Sequence, residues 1–194
     1  IGRGYLMDGI HRLPAAPEFC TFLIEHLIRN EVDVAAVGSV ADPSRAGFGH
    51  AYGFIVKRLF RKSIPVAPVM LNTYFPPSVP TANRCYEIGR RLRAAIEAYP
   101  ADLKVAVVAS GGLSHFVVEE DFDLNFIRML KEKDEQGLRA IPPEALRSGT
   151  SETLNWVLAA GAVDFLPLRD VEYYALHRTE AGTGVGAAFC VWQA

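Results

Sequence analysis

The sequence predicts an α/β fold: a layered α/β/α domain with a central mixed sheet. Two observations carry this. Short apolar runs alternate along the chain with segments of helical periodicity. The turn-forming residues Gly, Pro, Asn and Ser gather between those segments. No internal repeat, low-complexity tract or linker breaks the 194 residues, so one domain over residues 1–194 is expected. A chain of this length, half of it apolar, can bury a core without disulfides or metals as staples.

The elements follow in order. In residues 17–30, Phe19, Phe22, Leu23 and Leu27 recur at helical spacing, with Pro17 near the start. "VDVAAVG" (32–38) reads as a short strand. "GFGHAYGFIVKRLF" (47–60) opens as a glycine-rich loop and continues as a helix. "IPVAPVML" (64–71) is a second strand, pushed toward an edge or bulge by Pro65 and Pro68. "NTYFPPSVP" (72–80) is a loop stiffened by Pro76 and Pro77. Residues 82–100 form an amphipathic helix, with Ile88, Leu92, Ala95 and Ile96 on one side and Pro100 at its end. "LKVAVVAS" is the third strand, and the five apolar residues from Val105 to Ala109 read as buried. "DFDLNFIRMLKEKD" and "SETLNWVLAAGA" (151–162) are helices, the latter with Ser151 as its N-cap. The tail "GTGVGAAFCVWQA" ends in a strand.

Composition excludes several function classes. A net charge of −2 leaves no basic footprint for nucleic acid. No apolar run is long enough to span a bilayer. Cys20, Cys85 and Cys190 are odd in number and far apart, which suggests neither a zinc knuckle nor a disulfide framework. A reduced, cytoplasmic setting is expected. The chain opens on Ile1 with no signal-like segment, and is expected to be processed, trimmed or incompletely represented.

The third strand runs into "SGGLSHF". Gly111 and Gly112 permit a tight turn and close approach of a substrate. That turn presents His115 just past a strand's carboxyl end, where α/β sheets bind ligands. An imidazole there suits acid–base chemistry, with Ser114 able to orient it. It equally suits a turn histidine in water. His50, in "GFGHAYG", reads alone as a loop histidine. His11 and His26 read as surface residues, and His177 as structural. Glu152, in the first turn of a helix, complements the helix dipole; Gly149 and Trp156 around it make a walled pocket. His50, His115 and Glu152 could form a two-histidine, one-carboxylate triad of the kind that holds non-haem Fe(II). No HxH, HExxH or HxxE cluster supports it. "GTGVG" (182–186) lacks the Lys and Ser/Thr of a phosphate loop and reads as a structural turn.

Together, "GHAYGFIVKRLF", residues 68–116, "DFDLNFIRMLK" and "SGTSETLNWVLAAGA" resemble, in order, the catalytic β subunit of protocatechuate 4,5-dioxygenase. The family is that of class III extradiol ring-cleavage dioxygenases, which includes gallate and methylgallate dioxygenases. The likeness runs from about Pro17 to the C-terminus. "GGLSHF", "FDLNF" and the Glu152–Trp156 spacing are its most specific parts. The resemblance implies an Fe(II) enzyme that opens the ring of a catechol-type aromatic acid with O2, in aromatic compound and lignin catabolism. It implies a homodimer, with a small α-type subunit as a further partner. It makes Glu152 a metal ligand and His115 the acid–base residue, which is not a ligand. His50 lines the substrate pocket. Asn72, Tyr74 and Thr183 are further substrate-side candidates. Nothing in residues 1–30 matches the family's two ligand histidines. The resemblance therefore implies a fold truncated at its N-terminus, whose iron site needs two histidines from outside this chain. Ala181 and Gly182 stand where protocatechuate enzymes carry a Ser-Asn pair, which leaves gallate, methylated gallate or another catechol open. Two other readings stand beside this one: a non-catalytic fragment or partner subunit, and a metal-dependent hydrolase on a similar scaffold.

Overall fold

The computed structural model describes residues 13–38 and 48–194. His11 lies outside the described residues. The chain divides into two compact units: Ile1–Val69 with Ala98–Ala101, and Met70–Glu97 with Asp102–Ala194.

In the first unit, α1 (Pro17–Arg29) begins on a proline, whose missing N–H costs nothing at a helix start. Its apolar stripe buries Phe19, Leu23 and Leu27. Phe19 and Phe22 both meet the Tyr99 ring edge-on, at centroid distances of 4.9 and 5.1 Å. Gly49 leads in extended conformation into α2 (His50–Arg58), where the Tyr52 hydroxyl donates to the Val69 carbonyl at 2.8 Å.

The second unit is built on two helices in close contact. α3 (Ala82–Glu97) is amphipathic, whereas α6 (Thr153–Val163) is apolar all round and buried along most of its length. Glycines let their backbones meet. A Cβ on Gly89 would lie 2.0 Å from the Leu158 carbonyl oxygen, and one on Gly161 would lie 2.2 Å from that of Tyr86. Around this pair sit α4 (Glu120–Glu132), α5 (Glu135–Arg139) and two short 3-10 helices, Pro143–Ala145 and Ser148–Glu152.

A three-stranded antiparallel sheet completes the unit. β1 (His115–Val117), β2 (Leu168–His177) and β3 (Thr183–Trp192) run in the spatial order β1-β3-β2. The register sets His115 opposite Val185, Val117 opposite Thr183, and Tyr174 opposite Ala187.

The mixture of α and β is as expected, but the sheet is not the central mixed one that the apolar runs predict. Runs 32–38, 64–71 and 103–110 form no ladder among the described residues. A single parallel bridge, Ala15 to Val66, is found there. Val37, Met70 and Val108 are 69%, 63% and 52% exposed, so these runs are not buried strands. The physical reason is that an apolar run specifies a preference for burial, while a strand needs a neighbour for its N–H and C=O groups. Ser151 also departs from expectation. Its hydroxyl donates to the Ser148 carbonyl at 2.7 Å inside the 3-10 turn, and α6 starts later, at Thr153.

Candidate active site

The glycine turn that ends run 103–110 is held on three sides. From the α6 side, the Asn155 amide donates to the Ser110 carbonyl (3.3 Å) and the Trp156 indole N–H to the Gly111 carbonyl (3.0 Å). Glu152 Oε2 accepts from the Gly112 N–H at 3.1 Å. From β3, the Gly186 carbonyl takes the Leu113 N–H (2.8 Å), and the Gly186 N–H donates to the Ser114 carbonyl (2.9 Å). From α4, Asp123 receives both the N–H and the hydroxyl of Ser114, at 2.9 and 2.7 Å. Hydrogen bonds from three elements thus fix the backbone of this half-buried turn.

His115 follows directly. One hydroxyl clamps its backbone: Thr150 Oγ1 accepts from the His115 N–H (3.0 Å) and donates to the His115 carbonyl (2.9 Å). The ring is fixed as well. Nδ1 lies 2.9 Å from the Leu113 carbonyl oxygen. A carbonyl can only accept, so Nδ1 carries the proton and the lone pair of the neutral ring sits on Nε2. Nε2 faces Glu152 Oε2 at 3.9 Å, too far for a hydrogen bond, and both side chains keep access to solvent, at 20% and 38%.

Glycines make room for this pair. A Cβ on Gly112 would stand 2.4 Å from His115 Cε1, and one on Gly149 would stand 2.5 Å from His115 Cβ. Gly111 has φ of +150°, and its Cβ would press on Glu152 at 2.9 Å.

The structure therefore brings His115 and Glu152 together. Thr183 joins the same sheet, on β3 opposite Val117, two places along that strand from the partner of His115. Its hydroxyl pairs with that of Thr179 at 2.7 Å in the β2–β3 hairpin. Asn72 makes a local turn, its side chain accepting from the Phe75 N–H and donating to the Phe75 carbonyl. Tyr74 is exposed and packs edge-on against Phe75. His50 belongs to the first unit, exposed at the start of α2, with its ring edge-on to Phe54 at 6.2 Å. His177 is exposed and faces Glu120 across 3.3 Å.

Ser114 does not touch the imidazole. It is fully buried and serves Asp123 instead. Asp123 is itself fully buried and also accepts from the Tyr173 hydroxyl at 2.8 Å. Burial first, and then the Asp123 carboxylate beside it, holds the Tyr173 hydroxyl protonated far above a tyrosine's usual range. Asp123 and Thr150 are site-building residues that the sequence reading passes over.

A glycine turn thus presents an oriented imidazole toward a carboxylate, an arrangement whose chemistry suits proton transfer. The chain matches the family described as the catalytic LigB subunit of aromatic ring-opening dioxygenase over residues 3–189, and it belongs to that family of class III extradiol enzymes. Gallate dioxygenase of Pseudomonas putida is 34% identical to it over 110 residues, covering 52% of this chain and 32% of that protein. The chain thus spans about a third of the length of this curated relative.

Enzymes of this family typically use Fe(II). Glu152 fits such an ion as one donor: a carboxylate oxygen suits it, and the side chain is both held and open to solvent. Among the described residues, no group of three or more His, Cys, Asp or Glu side chains could hold a metal.

Proposed function

We propose that the protein carrying this chain is a non-haem Fe(II) extradiol dioxygenase. It opens the ring of a catechol-type aromatic acid of the protocatechuate, gallate or methylgallate class. The carbon–carbon bond beside the diol breaks, and both atoms of O2 enter the product. The observation that carries this is the orientation of His115: a tethered imidazole whose Nε2 faces Glu152, in a chain of the ring-opening family.

Glu152 contributes one ligand oxygen, and the remaining ligands come from outside the described residues. When bound, Fe(II) supplies Lewis acidity toward the diol and the redox capacity that oxygen activation needs. His115 does the proton work at Nε2. Its lone pair accepts a proton from a substrate hydroxyl, and the imidazolium later returns it as the ring opens. The Leu113 carbonyl stabilises the Nδ1–H throughout. Thr183 is assigned to a substrate contact, with Asn72 and Tyr74 in supporting places. The enzyme acts as a homodimer, as its family resemblance implies.

The test is oxygen uptake by the intact protein, loaded anaerobically with Fe(II), against protocatechuate, gallate and methylgallate in turn. Uptake matched by a ring-opened product with one of them is expected. Iron loading without uptake on any of them would overturn the assignment. One observation favours a second reading, that of a partner subunit without its own metal: the described residues assemble no three-ligand group. Failure of the intact protein to retain Fe(II) would support that reading.

A further inference from the structure

We propose that Asp123 sets the working tautomer of His115 through a single peptide bond. The inference rests on the acid–base role given to His115 above. Leu113 and Ser114 share a peptide group, and in a trans peptide its N–H and C=O point in opposite directions. Asp123 Oδ1 takes the N–H of that group at 2.9 Å, and His115 Nδ1 lies 2.9 Å from its C=O. Holding one end of the plane aims the other. The carboxylate therefore reaches the imidazole without touching it, through a carboxylate–peptide–imidazole chain.

Three features support the direction of this effect. Asp123 is fully buried on α4, where a carboxylate is costly unless several donors meet it. Those donors are the Ser114 N–H, the Ser114 hydroxyl and the Tyr173 hydroxyl. Ser114 Oγ also accepts the Glu119 N–H at 3.0 Å, so its own proton is committed to Asp123. Gly186 leaves room for the carboxylate, since a Cβ there would stand 1.8 Å from Asp123 Oδ2. Linked hydrogen bonds also polarise one another, so an anion on the N–H makes the carbonyl a better acceptor for Nδ1–H. Asp123 is thus a positioning residue. Without its grip the peptide can turn, Nδ1 loses its acceptor, and the proton can move to Nε2, where it would block the base.

The test uses the intact protein with 15N-labelled histidine, metal-free for NMR and iron-loaded for turnover. The His115 signals are identified by their loss in His115→Gln. In the wild type the neutral ring is expected as the Nδ1–H tautomer; finding Nε2–H would overturn the proposal without any further variant. Asp123→Ala should mix the tautomers. Asp123→Asn keeps an acceptor for the Ser114 N–H and should restore Nδ1–H. Ser114→Ala leaves that N–H bond in place and should also retain it. A folded Asp123→Ala with the wild-type tautomer would overturn the proposal. In turnover, Asp123→Ala should lower kcat by on the order of 10²-fold with little change in KM. The two arms separate the two ideas. An inactive wild type with the expected tautomers defeats the ring-opening reading alone, and an active wild type with an unmoved tautomer in Asp123→Ala defeats this inference alone.

Discussion

His115 is placed by neighbours that have no side chain. Gly112 and Gly149 touch its ring and its Cβ so closely that a methyl group at either place would displace it. Gly149→Ala should therefore cost about 1–3 kcal/mol of stability by overpacking and shift the imidazole away from Glu152. Urea denaturation together with turnover checks this, and a variant with wild-type stability and rate would contradict it. At the same scale, burial pushes the Cys85 thiol up to about 12, the Cys190 thiol to about 11, and, with the Asp164 carboxylate, the Tyr86 hydroxyl to about 12. Unfolded, these groups ionise near 9.0 for cysteine and 10.0 for tyrosine. Above about pH 9 the unfolded chain thus binds fewer protons than the native one, and stability falls as pH rises. It is fully present below that point and is lost progressively toward pH 12. Denaturation midpoints measured from about pH 8 to about pH 11 should decline, whereas a flat profile would count against the buried thiols. Of the residues at the site, His115 and Glu152 were legible because glycines and a helix start flank them. Asp123 was not, although it shares a helical stripe with the buried Phe126, Ile127 and Leu130. A carboxylate in a first turn is explained by the helix dipole, so its burial draws no notice.

Helices were the legible elements. α1, α3, α4 and α6 all fall within a few residues of their expected places, because each carries a stripe, or a full jacket, of apolar side chains. Of the strands, only β3 (Thr183–Trp192) was legible, in the apolar tail; β1 and β2 were not. β2 alternates half-buried and exposed residues, and polar side chains mask its period; β1 is only three residues long. The runs with the strongest strand signal found no ladder among the described residues, because sequence periodicity does not say which neighbour a strand will have. The contact between α3 and α6 brings two backbones together at glycines. Gly89→Ala drives a methyl group into the Leu158 carbonyl, which belongs to the backbone and cannot rotate away. A loss of about 1–3 kcal/mol is expected in urea denaturation. An unchanged midpoint would show that the helices can separate without penalty.

At the scale of the molecule, the candidate pair His115 and Glu152 lies in the second unit. Its turn, sheet and α6 meet at His115 and Glu152. Two of the stretches by which the family could be recognised, "GGLSHF" and "SGTSETLNWVLAAGA", pack against each other within that unit. The sheet could not be recognised in the same way, since it depends on which segments pair. No helix among the described residues is long and apolar enough to cross a membrane. The central claim is a division of labour: Glu152 holds metal, and His115 moves protons. Its most direct test compares His115→Gln and Glu152→Gln in the intact, iron-loaded protein, measuring bound iron and O2 uptake with a gallate-type catechol. His115→Gln should keep its iron while uptake falls by on the order of 10²–10⁴-fold, and Glu152→Gln should lose its iron. Undiminished uptake in the first variant, or undiminished iron in the second, would contradict the account.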